Sequence, residues 1–144
     1  MNNLKVARLQ PDAKLPTRKH PSDAGMDFYC LEEERIQPNS FTLVHTGVTV
    51  EIPEGYVGVL KPKGASTHLT GSGVIDAGYQ GEIIFRVVNP YHYAIPMAKH
   101  APVGQMILLP VLTPSLEEVS PEEIHAVASS RGAEGGIHTN PQAQ

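Results

Sequence analysis

The feature that most limits the fold of this chain is the even spread of thirteen glycines and thirteen prolines over its 144 residues. Both residue types interrupt helices and strands, so only short elements fit between them. Four intervals are rich in β-branched residues, at positions 42–52, 56–60, 81–89 and 105–112. Pro53-Glu-Gly55 separates the first two intervals and predicts a tight turn. Short β-rich runs divided in this way predict an all-β sandwich or barrel.

The overall composition indicates a globular chain and argues against two kinds of partner. Apolar residues make up 40% and charged residues 18%, a mixture typical of globular proteins. The formal net charge of −4 disfavours nucleic-acid binding, which usually needs a basic face. It still allows a nucleotide held by a few cations and backbone N–H groups. Because no apolar run is long enough to span a bilayer and Met1–Lys5 lacks a signal-peptide core, we expect a cytoplasmic protein with no membrane partner.

Cysteine and histidine give no sign of a zinc site. The single cysteine, Cys30, cannot form an internal disulfide, which fits a reducing compartment. No base lies next to it in the sequence, so we interpret it as a strand residue and not a nucleophile. Six histidines lack the i, i+4 or paired spacing of metal ligands, and we expect them on the surface or in strands. They are His20, His45, His68, His92, His100 and His125.

The composition changes towards the end of the chain. Residues 120–128 are the one helix candidate, with Ser120 as the N-cap, Pro121 in the first turn and Glu123 completing a capping box. From Ser129 onwards small and polar residues dominate. We therefore expect a β-domain over residues 1–128 and a flexible Gly-rich arm over residues 129–144.

Four segments combine charges, hydroxyls or aromatic rings with glycines. Residues 23–28 place two carboxylates four apart around a glycine, and residues 61–68 offer two lysines, a glycine and two hydroxyls suited to phosphate oxygens. Residues 73–82 set an acid and a tyrosine three apart in an expected hairpin, and Arg131 lies in a Gly-rich stretch. Each segment alone is more often a turn, a charged edge strand or a linker than a functional site.

Together, the segments resemble the motifs of the trimeric dUTPase family, in the family's order. Residues 73–83 match the third motif, G-x-I-D-x-x-Y-x-G-E-[IL], at every defined position. The other four motifs correspond to residues 23–27, 62–67, 103–111 and 131–139, so the resemblance covers about residues 5 to 140. It implies a dUTPase-like β-clip, a distorted jelly-roll barrel, and hydrolysis of dUTP to dUMP and pyrophosphate.

The resemblance also implies roles at the nucleoside end of the substrate. Asp76 would orient and deprotonate the water that attacks the α-phosphorus. Tyr79 would stack beneath the deoxyribose and leave no room for a 2′-hydroxyl. Backbone groups from Gly71 to Gly73 would read the uracil edge.

At the triphosphate end, the resemblance implies a Mg²⁺ ion and several phosphate ligands. Asp27 would hold the Mg²⁺ through water, because magnesium usually keeps several waters. Gln105 would reach a phosphate oxygen, and Arg131 would reach the γ-phosphate. The second motif would add phosphate contacts from Lys63, Gly64, Ser66 and Thr67.

Two of the motifs depart from the family pattern. Gly64 stands where the family has a serine, and Ser66 or Thr67 is the candidate to supply the lost hydroxyl. The aromatic residue that caps the uracil in the fifth motif is replaced by Ile137 or His138, depending on the alignment. An aliphatic cap excludes water but loses ring stacking.

Two other functions stay open, and one assembly is expected. A dCTP deaminase on the same fold, mono- or bifunctional, needs a catalytic glutamate after the third motif, where Glu82 stands. A weakly active dUTPase-like protein that binds another protein under nucleotide control is the second alternative. For the dUTPase itself, the resemblance implies a homotrimer whose sites are shared between subunits, with the arm donated by a third chain.

Overall fold

The computed structural model describes residues 3–133. By residue contacts the chain divides into two compact units, Met1–Thr113 and Pro114–Gln144. The described part of the first unit holds ten strands. They are β1 (Lys5–Arg8), β2 (Gly25–Tyr29), β3 (Glu34–Ile36), β4 (Ser40–Glu51), β5 (Tyr56–Lys61), β6 (Leu69–Thr70), β7 (Gly73–Ile75), β8 (Glu82–Asn89), β9 (Ile95–Met97) and β10 (Pro102–Pro110). Within residues 3–133, no helix has the length and apolarity to cross a membrane.

The strands form two four-stranded antiparallel sheets and one small pair. One sheet has the order β1-β4-β8-β6, the other β2-β10-β5-β7, and β3 pairs with β9. Side chains alternate between the two faces of a strand, so the predicted β-rich runs bury one face and expose the other. β8 shows this clearly, because Ile83, Phe85 and Val87 are fully buried. The predicted all-β class is confirmed.

The core draws its side chains from both large sheets. Phe28 of β2 and Phe85 of β8 meet with ring centroids 5.9 Å apart and planes tilted by 51°. Around them lie the buried aliphatic and sulfur-containing side chains of the same cluster. Burying each large apolar side chain stabilises the fold by about 1.5–3 kcal/mol. On β2 the inward positions are Met26 and Phe28, so Asp27 between them faces outwards.

The predicted turn is confirmed, and the predicted hairpin is wrong. Tyr56 N donates to Pro53 O at 3.2 Å, and Gly55 has a φ of +83°. In contrast, β7 pairs with β5, and β8 pairs with β4 and β6, so residues 76–81 connect the two sheets instead of closing a hairpin. β7 has only three residues, and β8 gains more by burying its apolar face against the core beside the twelve-residue β4.

In the second unit, the helix is much shorter than the sequence predicts. α1 spans Pro121–Ile124, and Ser120 precedes it in an extended conformation. The Ser120 side chain makes no capping hydrogen bond, contrary to the prediction. Instead, the Ser120 carbonyl accepts from Glu123 N and Ile124 N. None of the helical residues is buried. A helix of one turn without packing on an apolar face does not propagate.

Cys30 lies directly after β2 and is fully buried. Its N–H donates to Ala101 O, and its carbonyl accepts from His100 N, both at 2.9 Å. Burial first, and the charge of Glu34 second, raise the pKa of the Cys30 thiol to about 11. A thiol that stays protonated is a poor nucleophile, which supports the structural interpretation of this residue.

Candidate active site

One group of predicted residues meets on the outward face of the β2-β10-β5 sheet. The register places Gln105 between Asp27 and Lys61, side by side on neighbouring strands. Lys63 Nζ reaches Asp27 Oδ2 at 2.5 Å, and both side chains are mostly shielded from solvent. We call Asp27, Lys61, Lys63 and Gln105 the basic corner. Two lysines beside one carboxylate leave a net positive charge suited to a polyphosphate.

Gln105 is held in place from two sides. Its Nε2 donates to Pro62 O at 3.0 Å. A Cβ at Gly25 would collide with the Gln105 amide oxygen, so only glycine leaves room for this rotamer. The carboxamide is therefore oriented by the chain itself before any ligand binds.

The loop after β5 carries the other predicted phosphate ligands. Ser66 N donates to Lys63 O at 3.1 Å, which closes a turn over Gly64. A Cβ at Gly64 would meet nothing within 4 Å, so the serine of the family pattern is missing without a steric reason. Lys63, Ser66 and Thr67 line a cavity of about 290 Å³ together with residues of the β9–β10 region.

His68, at the end of this loop, is a residue that sequence reasoning missed. We expected it on the surface or in a strand, but it lies in the loop and is only 7% exposed. Its Nε2 is 2.7 Å from Val103 O. The only sequence signal is indirect, because Pro62 ends β5 and leaves part of β10 without a strand neighbour.

A second group lies in the turn between β7 and β8. Tyr79 N donates to Asp76 O at 3.1 Å, and Gly78 supplies a φ of +87°. Asp76 and Tyr79 are both exposed. The Tyr79 hydroxyl donates to Glu82 O at 2.8 Å, and its ring lies over Gly81, where any Cβ would clash with it. An exposed carboxylate thus stands three residues from an aromatic ring of fixed orientation.

β4 anchors this turn through a bulge. The Glu82 carboxylate accepts from Gly47 N at 2.7 Å with one oxygen and contacts His45 Nδ1 at 2.8 Å with the other. Thr49 Oγ1 donates to Gly81 O at 2.8 Å. Glu82 is therefore committed to holding the backbone, which argues against its use as the catalytic glutamate of a deaminase.

The glycines expected to read the base are already engaged in the sheets. Gly71 N donates to Arg86 O at 2.8 Å, and Gly73 pairs with Leu60. The Gly71 N–H is thus occupied within the chain. Reading of the uracil edge by this segment stays a prediction.

The two groups do not meet within one chain. β7 runs antiparallel to β5 with Gly58 opposite Ile75, so Asp76 lies about four residues along the sheet from the level of Lys61 and Gln105. Three strand spacings also separate β7 from β2. With about 3.3 Å per residue and 4.8 Å per strand, Asp76 and Asp27 are roughly 20 Å apart.

Comparison with known proteins decides the family. A model of the dUTPase family matches residues 11–138. The deoxyuridine 5′-triphosphate nucleotidohydrolase of Alkaliphilus metalliredigens is 37% identical over 143 residues, covering 95% of this chain and 96% of the relative. This chain belongs to the dUTPase family. The family assignment made from the five motifs is confirmed.

Solved dUTPase structures share the fold. The dUTPase of Staphylococcus bacteriophage 80alpha with dUPNHPP has a TM-score of 0.86 at 28% identity, over 94% of this chain and 97% of that one. A point mutant of the dUTPase from phage phi11 of S. aureus, described with a structural Mg(II) ion, has a TM-score of 0.76 at 26% identity, over 86% and 99% of the two chains. The expected dUTPase-like fold is confirmed.

The remaining predicted ligands of this dUTPase lie in the second unit. Arg131 is exposed, and Gly132 N donates to Ser129 Oγ nearby at 3.2 Å. Ile137 and His138 lie outside the described residues. Capping of the base by either residue stays a prediction.

The basic corner offers a metal ion one carboxylate. Among residues 3–133, no three His, Cys, Asp or Glu side chains cluster as metal ligands. Asp27 offers a single outward carboxylate beside Lys63. Magnesium usually takes one or two carboxylates and completes its shell with phosphates and water, so one carboxylate is enough for it.

Proposed function

We propose that this chain is a dUTP diphosphatase, which hydrolyses dUTP to dUMP and pyrophosphate. The observation that carries the proposal is the turn that exposes Asp76 beside a Tyr79 ring fixed by the Glu82 carbonyl. Asp76 aligns a water molecule and takes its proton as the water attacks the α-phosphorus. Pyrophosphate leaves on the opposite side, so the protein contributes mainly position and charge.

The triphosphate end of the substrate binds at the basic corner. Lys63, the Gly64 backbone, Ser66 and Thr67 supply a cation and hydrogen-bond donors from one loop. Gln105 uses one amide hydrogen for Pro62 O, and its second hydrogen is proposed to donate to a phosphate oxygen. Lys61 and Lys63 concentrate positive charge where the leaving pyrophosphate gains negative charge.

Mg²⁺ is the proposed cofactor, held by Asp27 through water and by the substrate's phosphates. When bound, it neutralises charge on the phosphate oxygens during departure of pyrophosphate. Lys63 orients the Asp27 carboxylate through their ion pair. This arrangement predicts weak metal binding by the protein alone and tighter binding together with the nucleotide.

A homotrimer completes the site in this proposal. The roughly 20 Å between Asp76 and Asp27 is too long for one nucleotide to contact both within one chain. Between them, the outward sheet face carries apolar side chains, of which Val74 is 67% and Leu109 is 44% exposed. Exposed apolar faces of this kind usually pack against another protein surface. A second copy covers the face and brings its Asp76 to the basic corner, and a third copy donates Arg131.

The test of the activity is pyrophosphate release from dUTP, dCTP, dTTP and UTP with Mg²⁺. We expect turnover of dUTP alone. Ammonia release from dCTP would favour the deaminase, which expects Glu82 to be free for catalysis. Binding of a dUTP analogue without turnover would favour the nucleotide-controlled protein binder, an alternative motivated by the altered second and fifth motifs.

Tyr79 gives a specificity prediction in the same assay. Tyr79→Ala opens space beneath the sugar, so we expect the preference for dUTP over UTP to narrow by about 10- to 100-fold. Tyr79→Phe is the matched control, because it removes only the hydroxyl bond to Glu82 O and keeps the ring. An unchanged preference in the alanine variant would remove Tyr79 from the sugar site.

We place the enzyme in the cytoplasm, since its one buried, unpaired cysteine suits a reducing compartment.

A further inference from the structure

The loop from Pro62 to His68 begins where the β5–β10 ladder ends. The last paired residues are Lys61 and Gln105. Pro62 has no N–H and cannot continue the ladder. On the other side of β10, a bulge between Pro102 and Gly104 leaves Val103 without a partner in β2. The pairing with β5 begins only at Gln105, so it does not include Val103 either. The fully buried Val103 therefore has no ladder partner in the described part of the chain.

His68 supplies the bond that the ladder does not. Its Nε2 lies 2.7 Å from Val103 O, and a carbonyl only accepts, so Nε2 carries the hydrogen. At the other end of the loop, Gln105 Nε2 donates to Pro62 O at 3.0 Å. Val103 and Gln105 are two residues apart on β10, about 7 Å. Both ends of the loop are thus fastened to one short stretch of one strand.

Between these two bonds lie the proposed phosphate ligands. Lys63, Ser66, Thr67 and His68 line the same cavity of about 290 Å³. Three polar side chains are buried in the described chain, Thr46, His68 and Asn89. Of these, only His68 belongs to the loop that carries predicted ligands. Its bond to Val103 O therefore also fixes one end of that loop.

We propose that His68 is a positioning residue for the substrate's triphosphate. By holding the end of the loop to Val103, it fixes the distance of Lys63, Ser66 and Thr67 from the phosphates. The inference rests on the proposed dUTP hydrolysis and deepens it. Because Gly64 offers no hydroxyl, this loop depends more on the placement of Ser66 and Thr67.

The test compares His68→Leu, His68→Asn and His68→Gln in the full-length chain with Mg²⁺. Leucine fills the space without a donor, and asparagine is too short to reach Val103 O. Glutamine carries an N–H at about the reach of histidine Nε2 and is the rescue variant. For each variant we measure the affinity for dUpNHpp, the dUTP analogue bound in the 80alpha structure, and the affinity for dUMP. We also measure KM and kcat for dUTP and the melting temperature.

We expect His68→Leu and His68→Asn to weaken dUpNHpp binding and raise KM by about 10-fold. The affinity for dUMP should stay unchanged, because its single phosphate would not contact the loop. His68→Gln should recover the dUpNHpp affinity. If leucine prevents folding, the asparagine and glutamine pair decides the question.

A lower melting temperature with an unchanged dUpNHpp-to-dUMP affinity ratio would overturn the inference. So would a glutamine variant that behaves like the asparagine variant. Turnover by the unmodified chain tests the proposed function separately, since the affinity ratio needs no turnover.

Discussion

Asp76→Asn is expected to fold and bind dUTP, but to lose turnover by about 10²- to 10⁴-fold, the usual contribution of a general base. Asparagine has nearly the same shape and still orients a water molecule, but it cannot take its proton. The side chain is exposed, so the change should leave the core intact. Single-turnover hydrolysis of dUTP, together with dUpNHpp binding, separates the chemical step from substrate affinity.

Asp12→Asn is the matched control for this variant. Asp12 is also an exposed carboxylate, but it pairs with Lys99 at 2.6 Å and is not one of the proposed ligands. The pair lowers the pKa of Asp12, mainly through the hydrogen bond from Lys99. An exposed pair of this kind contributes little to stability, so turnover should stay normal. Equal rates in the two variants would show that Asp76 is not the general base.

Deletion of residues 130–144 is expected to leave the assembly intact and to remove most of the turnover. No side chain of its described part, Ser130 to Ala133, is buried, so we expect the deletion to leave the fold intact. The deletion removes Arg131, the proposed ligand of the γ-phosphate. Light scattering reports the assembly and pyrophosphate release reports the rate.

Point variants of Arg131 refine this second prediction. Arg131→Ala should reproduce much of the loss, because hydrogen bonds to charged groups contribute about 1.5–3 kcal/mol each. Arg131→Lys keeps the charge but loses the planar guanidinium group. Its rate should therefore lie between those of the unmodified chain and of Arg131→Ala. A truncated chain with full activity would exclude the segment from the site.

The strands could be predicted because their signal is local. Alternating apolar residues and the turn at Pro53 to Gly55 specify β4, β5, β8 and β10 without knowledge of their neighbours. The third motif likewise kept Asp76 and Tyr79 three residues apart, and the turn between them brings both to the surface.

What the sequence could not predict depends on pairing between distant segments. The β7–β8 hairpin was wrong because each strand finds a better partner elsewhere, in β5 and in β4. His68 looked like a surface residue because its partner, Val103, is 35 positions away. The helix predicted over residues 120–128 is shorter in the structure, because capping residues do not extend a helix that has no apolar face to bury.

Mixing two inactive variants tests the shared site most directly. Asp76→Asn and Asp27→Asn, carried on differently tagged chains and co-expressed, should each be nearly inactive alone. If every site takes Asp76 from one copy and Asp27 from another, random assembly leaves about a quarter of the sites with both carboxylates. Purification on both tags removes the trimers of a single variant, and each mixed trimer has one intact site among its three, so purified mixed trimers should recover about a third of the normal dUTP turnover. If one chain supplies both residues, each site keeps one defect, and mixed assemblies as inactive as their parents would contradict the account.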